Sequence, residues 1–223
     1  MHLRPKRKKI KLFILIPIVL IILFVFLFVK FVNIKPLIIS YSEMQAGKFA
    51  TLIINSALKE DEALENEDLY KINNNIIIYN TKKINEILTT LTARIQKYFK
   101  AIEIGDIDNI KAEILEKYND ENLKKGIVLN IPMGYLTGSS FLANSGPKIP
   151  FRIKLIGDVK TDIKSSVTDY GLNNALLKIY IYVEVTTKSI IPFISSTQKT
   201  VVEYPLVLKL VEGKVPSYYV GNR

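Results

Sequence analysis

Ser145-Gly146-Pro147-Lys148 reads S-x-x-K, the spacing in which a lysine one helical turn after a serine can take its proton. That chemistry needs a helix opening on the serine. Gly146, Pro147 and the following Pro150 predict a turn instead. The companion S-D-N and K-T-G motifs are missing. Asp158 and Asp162 offer two carboxylates. Along one strand they would share a face but lie about 13 Å apart, too far to share one bond as acid and base. Residues 60–68 carry Glu60, Asp61, Glu62, Glu65, Glu67 and Asp68. The spacing is not that of a calcium loop and no glycine supplies its sharp turn, so a solvated helix end is the reading. The single histidine is His2 and there is no cysteine. Ser-His-Asp and Cys-His catalysis, zinc sites of the usual kind and disulfides therefore fall away beyond the N-terminus. No P-loop or dinucleotide fingerprint occurs. The expectation is a non-enzymatic protein with no catalytic residue, cofactor or metal. Gly134-x-x-x-Gly138 matches a helix-packing motif but falls in a loop.

The elements that would position these residues begin with an anchor. Leu12 to Val29 is 18 consecutive apolar residues without a charge. As a helix it spans about 27 Å, close to the ~30 Å hydrocarbon thickness of a bilayer. Ile10 and Phe31 can extend it, and lipid-embedded helices tolerate Pro17. Arg4, Lys6, Arg7, Lys8, Lys9 and Lys11 precede the run, whereas only Lys30 and Lys35 follow closely. This bias predicts a single-pass membrane protein with a cytoplasmic N-terminus and an extracytoplasmic remainder. No small-x-small cleavage site follows, so an uncleaved anchor is expected rather than a signal peptide. The domains expected are a basic tail 1–11, an anchor 12–31 and a globular domain 32–223. The net charge of +10 has the same origin. Setting aside the seven basic residues of 1–30 leaves 24 basic against 21 acidic residues, too balanced for a nucleic-acid binder.

Helices come first in the remainder. Ile39–Lys59 reads as a helix opened by a Ser40/Glu43 capping box, beginning about ten residues beyond the membrane. Leu69–Ile72 and Ile76–Tyr79 flank three asparagines and predict a hairpin. Asn80 or Thr81 caps a helix whose stripe is Ile84, Ile87, Leu88, Leu91, Ile95, Tyr98 and Ile102. Asp108–Tyr118 suggests a shorter helix and Asn119–Asn122 a polar break. Strands follow. Ile127–Ile131 is one, Pro132–Pro150 a loop, and Phe151–Ile156 with Val159–Val167 either a pair or one long strand bent at Gly157. Gly171–Asn174 marks a turn, Leu176–Thr187 a long strand, and Ile190–Phe193 an edge or corner because of Pro192. Lys199–Val211 and a short Val215–Val220 complete the series. The class is α+β with a mainly antiparallel sheet.

The run from Asn130 through Val185 carries IP-x-G-x-x-[TS]G, GPKIP, Gly157-Asp158 and YG-x-NNA. G-x-VP comes near the C-terminus. In combination these resemble the YunB family of sporulation proteins, densely over residues 126–221 and more loosely before. The resemblance implies a mother-cell protein of endospore-forming bacteria, in the mother-cell or outer forespore membrane, needed for normal spore formation. It supplies no catalytic residue or ligand. The expected role is contact with another sporulation protein or with itself. Candidate contact residues are Gly134, Tyr135, Thr137, Gly138, Gly146, Pro147, Lys148 and Pro150 in one loop, and Tyr170, Gly171, Asn173 and Asn174 in a turn. Function concentrates on loops held by a rigid scaffold. Alternatives are a lipid- or small-molecule-binding module, for which helix against curved sheet could enclose a cavity, and an acyl-transfer or cell-wall enzyme using Ser145 and Lys148.

Overall fold

The structure, a computed structural model, describes residues 7–60, 69–73, 76–110, 112–118, 120–137, 140–170, 174–192 and 194–212. Within α1 it describes the side chains of 15–26 and 34–59. The chain divides into two compact units, one of residues 1–41 with 132–148, the other of 42–131 with 149–223.

Helix α1 runs from Arg7 to Lys59 and passes through Pro17 and Pro36. The predicted start at Ile39 is therefore corrected. A Ser-x-x-Glu box caps a helix only where the preceding residues leave the helical conformation, and those before Ser40 remain in it. Every side chain from Leu15 to Phe26 is exposed. Among the described residues no helix is long and apolar enough to cross a membrane. Both ends of the Leu12–Val29 run lie outside the side chains described.

In the larger unit the predicted hairpin is present as β1, Tyr70–Asn73, antiparallel to β2, Ile76–Tyr79. Helix α2, Thr81–Ile104, opens with the Asn80 carboxamide accepting from the Lys83 N–H at 3.3 Å, a cap that typically contributes about 1 kcal/mol. Its buried residues are the expected stripe with Phe99 and Ala101 added and Leu88 half-buried. The Arg94 guanidinium donates to the Ala57 carbonyl at 2.8 Å, giving a partner to one of the last carbonyls of α1. Between α2 and the sheet the predicted Asp108–Tyr118 helix breaks into a 3-10 turn, Ile107–Asn109, and a single turn α3, Ala112–Leu115. The expected polar break at Asn119–Asn122 is instead largely helix, α4, Asp120–Leu123. Segments this short carry too little periodicity to read, and the burial of Ile110, Ile114 and Leu123 decides them.

The five-stranded sheet contains β3 (Leu129–Pro132), β4 (Lys148–Leu155), β5 (Lys160–Tyr170), β6 (Asn174–Ile191) and β7 (Ile194–Glu212). The central strand is β6. Its whole length pairs with β7, turning at Pro192, the predicted corner. Its other edge pairs first with β5 over 174–184 and then with β4 over 187–190. So β4 and β5 do not pair with each other. They follow one another along one edge of β6, as one long strand bent at Gly157, whose φ of 69° is left-handed. Pro205 is accommodated in β7 by a register shift opposite Ile179/Tyr180, which leaves Leu206 as the extra residue. The predicted strand Val215–Val220 lies outside the described residues.

Alternation along β6 sets the two sheet faces. Leu177, Ile179, Ile181, Val183, Val185, Thr187, Ser189 and Ile191 are buried on the inner face. Lys178, Tyr180, Tyr182 and Glu184 stand on the outer one. The core of this unit also holds Phe49, Ile53 and Ile54 of α1 and Leu91, Ile95 and Ile102 of α2.

Candidate interaction surfaces

The Pro132–Pro150 segment is less irregular than expected. Met133–Thr137 forms a 3-10 helix and β4 already starts at Lys148. Three backbone hydrogen bonds close the loop. The Met133 N–H donates to the Pro147 carbonyl at 3.0 Å, Gly134 to Ser145 at 2.8 Å, and Ser145 to Leu142 at 2.9 Å. These contacts make Gly134 indispensable. A Cβ there would run into the Leu142 carbonyl and sit 2.7 Å from that of Ser145. Gly146 has φ 90°, the left-handed conformation that lets the loop turn back onto Met133. The Tyr135 ring lies 4.5 Å from that of Tyr41 on α1, tilted by 50°. Met133, Tyr135 and Leu142 are exposed, and Phe141 is 92 % exposed.

Ser145 and Lys148 do not share a helical turn, since Ser145 sits in this loop and Lys148 opens β4. The turn reading holds. Ser56 and Lys59 do share that spacing on a helix, a pair the sequence reading passed over. Ser56 is buried, and both donate to the Glu113 carboxylate, at 3.4 and 3.3 Å. This geometry ties α1 to α3 and leaves the serine no access to a substrate.

Of the predicted loop residues, Gly134, Tyr135, Gly146, Pro147 and Lys148 come together in this one structure. Thr137 ends the 3-10 helix, Gly138 lies outside the described residues, and Pro150 is a half-buried residue of β4. The second predicted segment is the far end of the β5–β6 hairpin, where Tyr170 pairs with Asn174; Gly171 and Asn173 lie outside the described residues. Register extends this end. Thr168, Leu176 and Leu210 are neighbours across three strands, and Lys178 faces Leu208. Cross-strand partners share a face, so Tyr170, Leu176, Leu208 and Leu210 lie together on the outer face. Tyr170, Leu208 and Leu210 are exposed, Leu208 to 68 %.

Sequence reading missed a charged cluster on that face. Glu184 accepts from Lys199 at 2.8 Å, from the Tyr182 hydroxyl at 2.7 Å and from Lys160 at 3.3 Å. The Lys164 ammonium sits 3.4 Å above the Tyr182 ring. Hydrogen bonds from Lys199 and Tyr182 hold the Glu184 carboxyl down at about 2, and the same bonds raise Lys199 and Tyr182. A carboxylate this acidic is unsuited to proton transfer near neutrality. The available signal was Glu184 as the lone acid in the Leu176–Thr187 run. Elsewhere, burial and a hydrogen bond to Glu60 raise the Tyr98 hydroxyl well above its usual range.

Among the described residues no group of three or more His, Cys, Asp or Glu side chains could hold a metal ion. Asp158 precedes β5 while Asp162 lies within it, both exposed. A groove of about 470 Å³ runs beside α2, bounded by Leu88, Thr92, Gln96 and Thr161, and a second of about 500 Å³ continues it toward Leu155 and Gly157. Both are open to solvent with mixed linings, unlike the enclosed apolar cavity that lipid binding would use.

The scaffold is thus an α+β protein with a bent antiparallel sheet and a long N-terminal helix. The family described as "Sporulation protein YunB" matches over residues 128–218. The sporulation protein YunB of Bacillus subtilis (strain 168) is 34 % identical over 198 residues, covering 85 % of this chain and 73 % of that protein. This chain belongs to the YunB family of sporulation proteins. No solved structure matches it.

Proposed function

We infer that this chain acts in endospore formation as a membrane-anchored, non-enzymatic protein whose extracytoplasmic domain binds another protein of the sporulating cell. Anchoring is supported by the charge-free Leu12–Val29 run and by exposure of every side chain from Leu15 to Phe26, an arrangement water disfavours on all sides of a helix. The membrane is that of the mother cell or the outer forespore membrane. The observation that carries the contact role is the apolar outer-face patch of Tyr170, Leu176, Leu208 and Leu210. Exposed apolar groups clustered on a rigid sheet mark an interaction surface.

Leu208→Asp in a spore-forming host, with protein level followed alongside, is expected to cut heat-resistant spore yield at least tenfold at normal abundance. Full yield with the variant at normal level argues against the patch. Topology has its own test: a reporter after Arg223 that is active only outside the cytoplasm supports the anchor, and activity in the cytosol removes it.

A further inference from the structure

The loop between Pro132 and Lys148 belongs to the same compact unit as the apolar half of α1. From Pro132 to Pro147 it has no Asp, Glu, Lys or Arg, although such residues make up 23 % of the chain. It nevertheless exposes Met133, Tyr135, Phe141 and Leu142. Gly134 allows the 3-10 turn to close on the Leu142 and Ser145 carbonyls, and three backbone hydrogen bonds hold that closure with Phe141 exposed.

The Tyr41–Tyr135 ring contact fixes where the loop meets α1. Tyr41 is ten residues past Phe31, where the apolar stretch ends, a distance of about 15 Å along the helix axis. The headgroup layer accounts for roughly 5–8 Å of that. That leaves about 7–10 Å between the level of Tyr41 and the outer edge of the layer. Uncharged polar residues, aromatic rings and a flanking Lys148, with Lys30 and Lys35 on the helix, are the composition that suits a membrane–water interface.

We propose that Phe141 and Leu142 form a second, shallow membrane contact, inserted at the headgroup level of the bilayer that α1 crosses. This rests on the anchor reading. Two attachment points, one deep and one shallow, restrict rotation of the loop about the helix axis.

The chain has no tryptophan, so Phe141→Trp provides a single fluorophore at an exposed site. The full-length variant is reconstituted into vesicles of phosphatidylcholine and phosphatidylglycerol carrying lipids brominated either high or deep on the acyl chain. Phe24→Trp, within the apolar run, is the companion. The expected result is blue-shifted Phe141→Trp emission, quenched by more than half by shallow bromines and little by deep ones, with Phe24→Trp quenched most by deep bromines. Water-like, unquenched Phe141→Trp emission beside a quenched Phe24→Trp overturns the loop contact and leaves the anchor standing. If neither is quenched, the anchor reading fails and the loop contact with it. A Phe141→Trp blue shift that grows with protein density, without bromine quenching, assigns the loop to a second copy of the chain and overturns the lipid contact. Leu142→Trp repeats the measurement at an independent exposed position.

Discussion

The two faces of the β6 strand are built from alternating residues of one segment, yet different forces hold them. The inner face, Leu177 through Ile191, lies buried among apolar side chains and three serines. Ser189 lies 2.6 Å from Ser196, and both are 3.1 Å from Ser42 of α1. The outer face, one residue out of phase, is organised around Glu184 and the cations and hydroxyl that cover it. Burial acts on the first face whatever the pH or salt, whereas the second depends on protonation and is screened. The contrast separates what makes the domain stable from what leaves a surface free to recognise something.

The largest effect that could break this comparison is on the inner face. Ile181 is fully buried, so Ile181→Ala should cost about 2–5 kcal/mol, read as a lower urea midpoint for the detergent-solubilised chain. A loss under 1 kcal/mol would mean that the face is not packed. Next come two hydroxyls on that face with opposite expectations. Ser189→Ala removes the hydrogen bonds that Ser189 makes to Ser42 and Ser196 and should cost about 1 kcal/mol. Among the described residues the Thr200 hydroxyl is buried without a hydrogen-bond partner, 3.8 Å from where a Cβ on Gly47 would lie. Thr200→Val should therefore stabilise by about 1 kcal/mol. Equal destabilisation by both changes would remove the distinction drawn between a satisfied and an orphaned hydroxyl.

The smallest effect belongs to the outer face. The Glu184 carboxyl is lowered in the folded state from 4.5 to about 2. Its stabilising contribution is thus complete above about pH 4.5 and lost as pH falls through about 2. Acid titration of stability should show this component, Glu184→Gln should abolish it, and 1 M salt should weaken it. An unchanged acid profile in Glu184→Gln would show that Lys160 and Lys199 contribute nothing through that carboxylate.

The elements legible in the sequence are those fixed by neighbours along the chain. The 3.6-residue stripe of α2, the asparagine turn of the first hairpin, the bend at Gly157 and the corner at Pro192 each follow from local sterics or periodicity. Continuity of α1 through Pro36 was hidden by a local capping signal that the surrounding helix overrides. The short helices at 112–115 and 120–123 depend on burial supplied by distant residues, and the Glu184 cluster on strand register. At the candidate loop, residue type pointed to several glycines alike. Only the approach of two carbonyls singles out Gly134. The outer-face patch needed the pairing of Leu176 with Leu210, 34 positions away, before its members could be seen together.

The Ser42–Ser196 contact joins positions 154 residues apart. A ribosome adding 5–20 residues per second takes roughly 8–30 s to cover that distance. For most of this interval Phe49, Ile53 and Ile54 have been synthesised but the central strand β6 has not. The nascent chain thus carries a greasy helical segment awaiting its lid. Depletion of a holdase chaperone should show itself first as aggregation of chains truncated before β6.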